Sequence, residues 1–231
     1  MKKTFLLSCL MLAAMPVMAA YTGHVYVDKN KNGVFDQSEK PLAGIKVSDG
    51  LNVVETAADG SFTLPGHERE RFIFITTPSG YKTFNRHYHK IEKKQSGYDF
   101  GLIPYSGRIR KDGSHRYIHI TDTEIFNTEN HADWVNNVRD YARNEQAAFI
   151  IHTGDICYEK GLKAHIKLMN TENMDCPVFY CIGNHDLVKG KYGEELFESI
   201  YGPVYYSFDA GNVHYVVTPM PVGDHAPGYT S

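Results

Sequence analysis

Three short polar blocks in this 231-residue chain carry residue types that hold metal ions: Asp122-Thr123-Glu124, Gly154-Asp155 and Gly183-Asn184-His185-Asp186. Carboxylates, an amide and an imidazole gathered in one place supply the mixed oxygen and nitrogen donors that suit manganese, iron or zinc. A fourth stretch, from Asp28 to Glu39, matches the twelve-residue calcium-loop pattern at each specified position. Its oxygen ligands would be Asp28, Asn30, Asn32, the Val34 carbonyl, Asp36 and a bidentate Glu39, with Gly33 making the sharp turn. The flanks of that stretch are strand-like, so the alternative is a solvated hairpin in which Asn32-Gly33 only makes a turn.

The elements that must position the three blocks are strands of a parallel sheet. Each block follows a short β-branched or aromatic run: Tyr117-Ile118-His119-Ile120, Ala148-Phe149-Ile150-Ile151 and Val178-Phe179-Tyr180-Cys181. Helical spacing separates the runs, first through Trp134, Val138, Tyr141 and Ala142, then through Leu162, Ala164, Ile166 and Met169. The pattern is β-α-β-α-β, and in such sheets ligands collect at the carboxyl ends of the strands. His119 and His152 fall inside the strand runs and read as packed or surface residues. Tyr205-Tyr206-Ser207-Phe208, followed by Gly211-Asn212, reads as a strand and turn of a core hairpin whose aromatics could line a pocket.

The chain before these strands is organised differently. Residues 1–20 read as a secretory signal peptide, with Lys2 and Lys3 ahead of an apolar core and Val17-Met18-Ala19 as the small-residue cleavage pattern. Secretion or a periplasmic or cell-surface location follows as the expectation, and no run is long enough to span a bilayer. Residues 21–105 show short alternating strands separated by Asp49-Gly50, Asp59-Gly60 and Pro78-Ser79-Gly80, which argues for a small antiparallel, immunoglobulin-like β-sandwich. Residues 106–114 read as a linker and 115–231 as the α/β part, giving a two-domain α+β chain. The formal net charge is −3, and about −5 once the leader lysines are removed, which leaves no electrostatic footprint for nucleic acid. Of the remaining cysteines, Cys176 and Cys181 would lie ~16 Å apart on an extended strand, beyond disulfide reach. Cys157 and Cys181 are left either as a pair or as free thiols.

With these blocks in order, the second part resembles the calcineurin-like metallophosphoesterases, and the sandwich resembles the amino-terminal domain of a secreted bacterial branch of them. The sandwich is also similar to calcium-binding repeats of cell-surface adhesins, through Asp28–Glu39 and the following Pro41-Leu42-Ala43-Gly44-Ile45-Lys46-Val47. The resemblance implies hydrolysis of phosphomonoesters or phosphodiesters by two divalent transition metals (Mn, Fe or Zn). It implies Asp122 on the first metal, Asp155 shared by both, and Asn184 on the second. His185 would stabilise the transition state or protonate the leaving group, with Asp186 orienting its ring.

The sequence departs from the family pattern in two places. Glu124 stands where the family has a histidine, as an oxygen ligand in place of a nitrogen one. The late histidine and the Gly-His-x-His motif are missing, since only His214 and His225 follow Asp186. Residues 115–231 are also short for a complete α/β enzyme domain. The expectation is therefore a carboxyl-truncated, incomplete phosphoesterase domain with little activity. The rival is a non-catalytic, calcium-stabilised surface protein that binds a partner through its sandwich.

Overall fold

A computed structural model describes residues 20–67, 69–188 and 194–219. The expected signal peptide lies, but for Ala20, outside the described residues, as does His225. Ala20 opens the first strand and pairs with Pro65.

The amino-terminal half is built from nine strands: β1 (Ala20–Val27), β2 (Lys40–Pro41), β3 (Lys46–Ser48), β4 (Val53–Glu55), β5 (Ser61–Pro65), β6 (Phe72–Ile75), β7 (Tyr81–Thr83), β8 (Tyr88–Lys90) and β9 (Phe100–Pro104). They form one sheet in the order β2-β1-β9-β7, with β5 also on β1, and a second in the order β4-β3-β6-β8. Alternate residues of both sheets enter one core: Val25, Phe100 and Leu102 from the first, Val47, Ile73 and Ile75 from the second. Each fully buried isoleucine contributes ~1.5–3 kcal/mol. The all-antiparallel expectation is corrected at one pair, because β1 and β9 run parallel. Parallel neighbours need a long connection, and the 72 residues between them, holding β2 through β8, provide it.

The second half runs β10 (Tyr117–Ile120), α1 (Ala132–Asn144), β11 (Phe149–His152), α2 (Glu159–Leu168), β12 (Val178–Tyr180), α3 (Glu195–Tyr201), β13 (Tyr206–Ala210) and β14 (Val213–Val217). Strands β10, β11 and β12 are parallel and adjacent in that order. The β13-β14 hairpin packs on this sheet through aromatic rings, with Phe179 and Phe208 stacked at a centroid distance of 3.5 Å. The expected face of α1 holds at Val138 and Ala142 and fails at its two aromatics. Val135 and Ala142 point inward, whereas Trp134 and Tyr141 are exposed. All three described cysteines are free thiols, with Cys157 and Cys176 buried.

Residues 106–114 do not act as a free spacer. Arg108 donates to the Ala147 carbonyl at 3.0 Å, and Asn212 Nδ2 donates to the Asp112 carbonyl at 3.0 Å. The halves also share a core in which Phe72, Phe74 and Tyr88 pack with Phe149, Phe179, Tyr206 and Phe208. Arg71 pairs with the buried Glu198 at 2.6 Å across the same boundary. Among the described residues no helix is long and apolar enough to cross a membrane.

Candidate metal centre

Parallel register puts the three polar blocks at one edge. Ile120 lies opposite His152, and His152 opposite Tyr180, so β10, β11 and β12 end together. Backbone bonds then tie the loops to one another: Thr153 N–H to the Ile120 carbonyl at 3.0 Å, Asp122 N–H to the Gly154 carbonyl at 3.2 Å, and Cys181 N–H to the His152 carbonyl at 2.7 Å. The second and third loops touch at glycine. A Cβ on Gly154 would sit 2.6 Å from the Gly183 nitrogen, and one on Gly183 would sit 2.2 Å from the Asp155 nitrogen. Neither position admits a side chain.

Asp122, Glu124 and Asp155 all hold left-handed backbone conformations, with φ of 53°, 42° and 51°. Such conformations in non-glycine residues cost about 1–3 kcal/mol each and gather where a site requires them. Asp122 Oδ2 accepts from the Thr121 hydroxyl at 2.7 Å. Asp155 Oδ1 accepts from the His185 N–H at 3.1 Å. Asn184, half-buried, opens the 3-10 turn Asn184–Asp186 on the same edge.

The role expected of Asp186 is corrected. Its carboxylate is fully buried and accepts three backbone N–H groups: Ile156 and Cys157 at 3.0 Å on Oδ1, and Gly183 at 2.9 Å on Oδ2. It fastens the second loop to the third instead of orienting the His185 ring. Burial pushes its carboxyl up to about 7 against the pull of those amides, and the Asp155 charge adds to the rise. The residues that do orient His185 are others. Its ring lies on Tyr158 at 5.2 Å and 18°, and its Nδ1, buried and without a hydrogen-bond partner among the described residues, is 3.5 Å from Glu124 Oε1.

His152, read from sequence as merely packed, holds the loops together. Its Nδ1 accepts from Gly154 N–H at 3.3 Å, so the proton sits on Nε2, which meets the Thr123 hydroxyl at 2.9 Å. Thr123 passes the hydroxyl proton to the Ile156 carbonyl at 3.4 Å. Burial depresses the His152 imidazole to about 4, so the ring is neutral at pH 7. Its place two residues before Gly154 was the available signal, and Tyr158 gave none.

The loops converge, whereas the metal-binding atoms stand apart. Among the described residues, no three His, Cys, Asp or Glu side chains of this edge bring ligand atoms within 4.8 Å of one another. Asp122, Glu124 and Asp155 are turned to Thr121, His185 and the His185 amide respectively, partners that a cation would displace. The donor chemistry fits a divalent transition metal, and the unpartnered Nδ1 of His185 points to a polar occupant.

In the amino-terminal half, the Asp28–Glu39 stretch is curled and closed at both ends. Asp28, 1% exposed, accepts from the amides of Asn32 (3.2 Å) and Gly33 (2.9 Å). Glu39 accepts from Lys29 (2.9 Å) and Asp36 (3.2 Å). Asn30 and Asn32 both turn their Nδ2 to Asp36 Oδ2. Val34 is exposed, its amide donating to Asn32 Oδ1 at 2.8 Å. The buried Tyr26 hydroxyl has no partner and lies in the field of Asp28 and Glu39.

Residues 115–226 match the model of the Calcineurin-like phosphoesterase family, and residues 29–104 match the model described as N terminal of Calcineurin-like phosphoesterase. The chain carries a calcineurin-like phosphoesterase domain behind the N-terminal domain of that family. No curated protein matches it. The three blocks all fall inside the matched phosphoesterase domain, and all but Asp28 of the twelve-residue loop falls inside the N-terminal one. Metal-dependent phosphoester hydrolysis is the general chemistry of such a domain.

Proposed function

We propose that the chain is a metal-dependent phosphoesterase in which Asp122, Glu124, Asp155 and Asn184 hold two divalent transition metals, Asp155 between them. The observation that carries this reading is the locking of three acid-bearing loops at the aligned ends of β10, β11 and β12, with Asp122, Glu124 and Asp155 in left-handed conformations. Divalent ions held there would bring positive charge to the phosphate oxygens and acidify a water for attack on phosphorus. His185 donates a proton to the leaving oxygen. Tyr158, stacked on the His185 ring at 5.2 Å, fixes the ring plane for this donation. Asp186 and His152 touch no substrate and keep the loops in register.

The late histidine ligands are absent from this sequence. His214 sits on β14 with Nδ1 2.6 Å from Asp209 Oδ1, which leaves it engaged elsewhere. The test is hydrolysis of p-nitrophenyl phosphate and bis(p-nitrophenyl) phosphate by the purified chain with Mn²⁺. A rate abolished by chelator and by Asp155→Ala, and reduced ~10²–10⁴-fold by His185→Ala, is expected. A rate unaffected by either substitution would contradict the reading.

The closed loop in the N-terminal half supports an ion of a different kind. We infer that Asp28, Asn30, Asn32, the Val34 carbonyl, Asp36 and Glu39 bind calcium as a structural staple, with both asparagine amides turned over to present oxygen. Calcium is expected to raise the melting temperature of the chain, and Glu39→Gln to remove that rise. An unchanged melting temperature would refute the staple.

A further inference from the structure

Asp49, His67 and Glu70 lie outside everything assigned above, at the end of the sandwich that faces the phosphoesterase domain. Three turns bring them together: Asp49 between β3 and β4, His67 after β5, and Glu70 before β6. One ligand atom from each falls within 4.8 Å of the other two, and among the described residues they are the group that does so. We propose that these three residues form a further binding site for a divalent transition metal of the zinc type.

Charge supports it first. The Asp49 side chain is fully buried, Glu70 is half-buried, and among the described residues no lysine or arginine ion pair reaches either carboxylate. The nearby guanidinium of Arg71 is directed to Glu198 instead. Two carboxylates without a Lys or Arg partner, one of them fully buried, form an anionic pair that a dication would neutralise.

Donor geometry supports it second. His67 Nε2 is buried, has no hydrogen-bond partner among the described residues, and is 3.4 Å from Asp49 Oδ1. Asp49 is held rigid by the amides of Leu51 and Asn52 on Oδ1 and by Asn52 Nδ2 on Oδ2. Glu70 is held by the Tyr21 hydroxyl on Oε1 and the His67 amide on Oε2. Each carboxylate oxygen on Glu70 keeps a free lone pair, as does Oδ2 of Asp49. Zinc takes both histidine nitrogen and carboxylate oxygen, and three protein ligands leave its fourth position open to water. Loading carries a chemical signature. Arg69 N–H donates to His67 Nδ1 at 3.2 Å, so the ring proton is on Nε2 without metal. A metal on Nε2 moves that proton to Nδ1 and breaks the Arg69 contact.

The position gives the site a role. A Cβ on Gly50, next to Asp49, would lie 2.5 Å from the Tyr205 hydroxyl of the phosphoesterase domain. The ion would fasten the sandwich turns where they meet that domain.

Cobalt(II) is the probe, titrated optically into the full chain with calcium saturating the Asp28–Glu39 loop. Asp122→Ala/Asp155→Ala serves as the parent, so that failure of the phosphoesterase centre does not affect the result. The parent is expected to bind one equivalent of cobalt with visible absorption of low-symmetry four-coordinate type, competed away by zinc. His67→Ala, and separately the near-isosteric Glu70→Gln, are expected to weaken binding at least tenfold while circular dichroism stays unchanged. Glu70→Gln alone decides the matter where His67→Ala fails to fold. Absence of cobalt binding in the parent, or equal binding in parent and Glu70→Gln, overturns the site.

Discussion

Asp186 is the residue whose removal separates structure from chemistry most cleanly. Asp186→Ala leaves the amides of Ile156, Cys157 and Gly183 buried without an acceptor, which predicts a loss of about 3–5 kcal/mol in denaturant unfolding. His185→Ala, at a half-buried ring, should change stability far less. His152 gives a pH signature. Its pKa falls from 6.5 to about 4 on folding, so its contribution to stability is present above pH 6.5 and is lost as pH drops toward 4. With metal chelated, the stability advantage of the wild-type chain over His152→Asn is expected to shrink by ~2 kcal/mol between pH 7 and pH 5, Asp186 being common to both. The polar blocks holding Asp122, Glu124, Asp155, Asn184 and His185 were legible as sequence, and the roles proposed for them come from the family resemblance. The part played by Asp186 was not, because its partners are backbone amides with no mark in the sequence, and the part played by His152 was hidden by its place inside an apolar run.

At the scale of elements, the β-α-β-α-β order and the three strand ends were legible because each polar block ends an apolar run. Faces and non-local pairings were not. Of the expected stripe Trp134, Val138, Tyr141 and Ala142, the core takes Val138 and Ala142 and adds Val135 in place of the two exposed aromatics, and β9 reaches β1 from 72 residues away in a parallel sense that local alternation cannot specify. The contact between Gly154 and Gly183 makes the loop geometry testable. Gly183→Ala places a methyl 2.2 Å from the Asp155 nitrogen and 2.3 Å from its Oδ1. The expected result is a shift of the second loop from the third and weaker manganese binding, with secondary structure retained by circular dichroism. Unaltered manganese affinity would show that loop contact does not set the site.

Over the whole molecule, the halves are less separate than the sequence suggested. A glycine-containing charged segment looked like a linker, but Arg108 and Asp112 dock it, and a shared aromatic core joins β6 and β8 to β11, β12 and β13. Phe74→Ala is therefore expected to destabilise both halves together by ~3–5 kcal/mol, seen as one shifted transition and not two. That rigidity keeps the three acid-bearing loops in register, and the account stands or falls on those loops holding metal. Isothermal titration of Mn²⁺ into the calcium-saturated chain, with Glu70→Gln present throughout to disable the Asp49-His67-Glu70 group, measures this directly. Binding that disappears in Asp155→Ala is the predicted result, and identical isotherms with and without Asp155→Ala would contradict it.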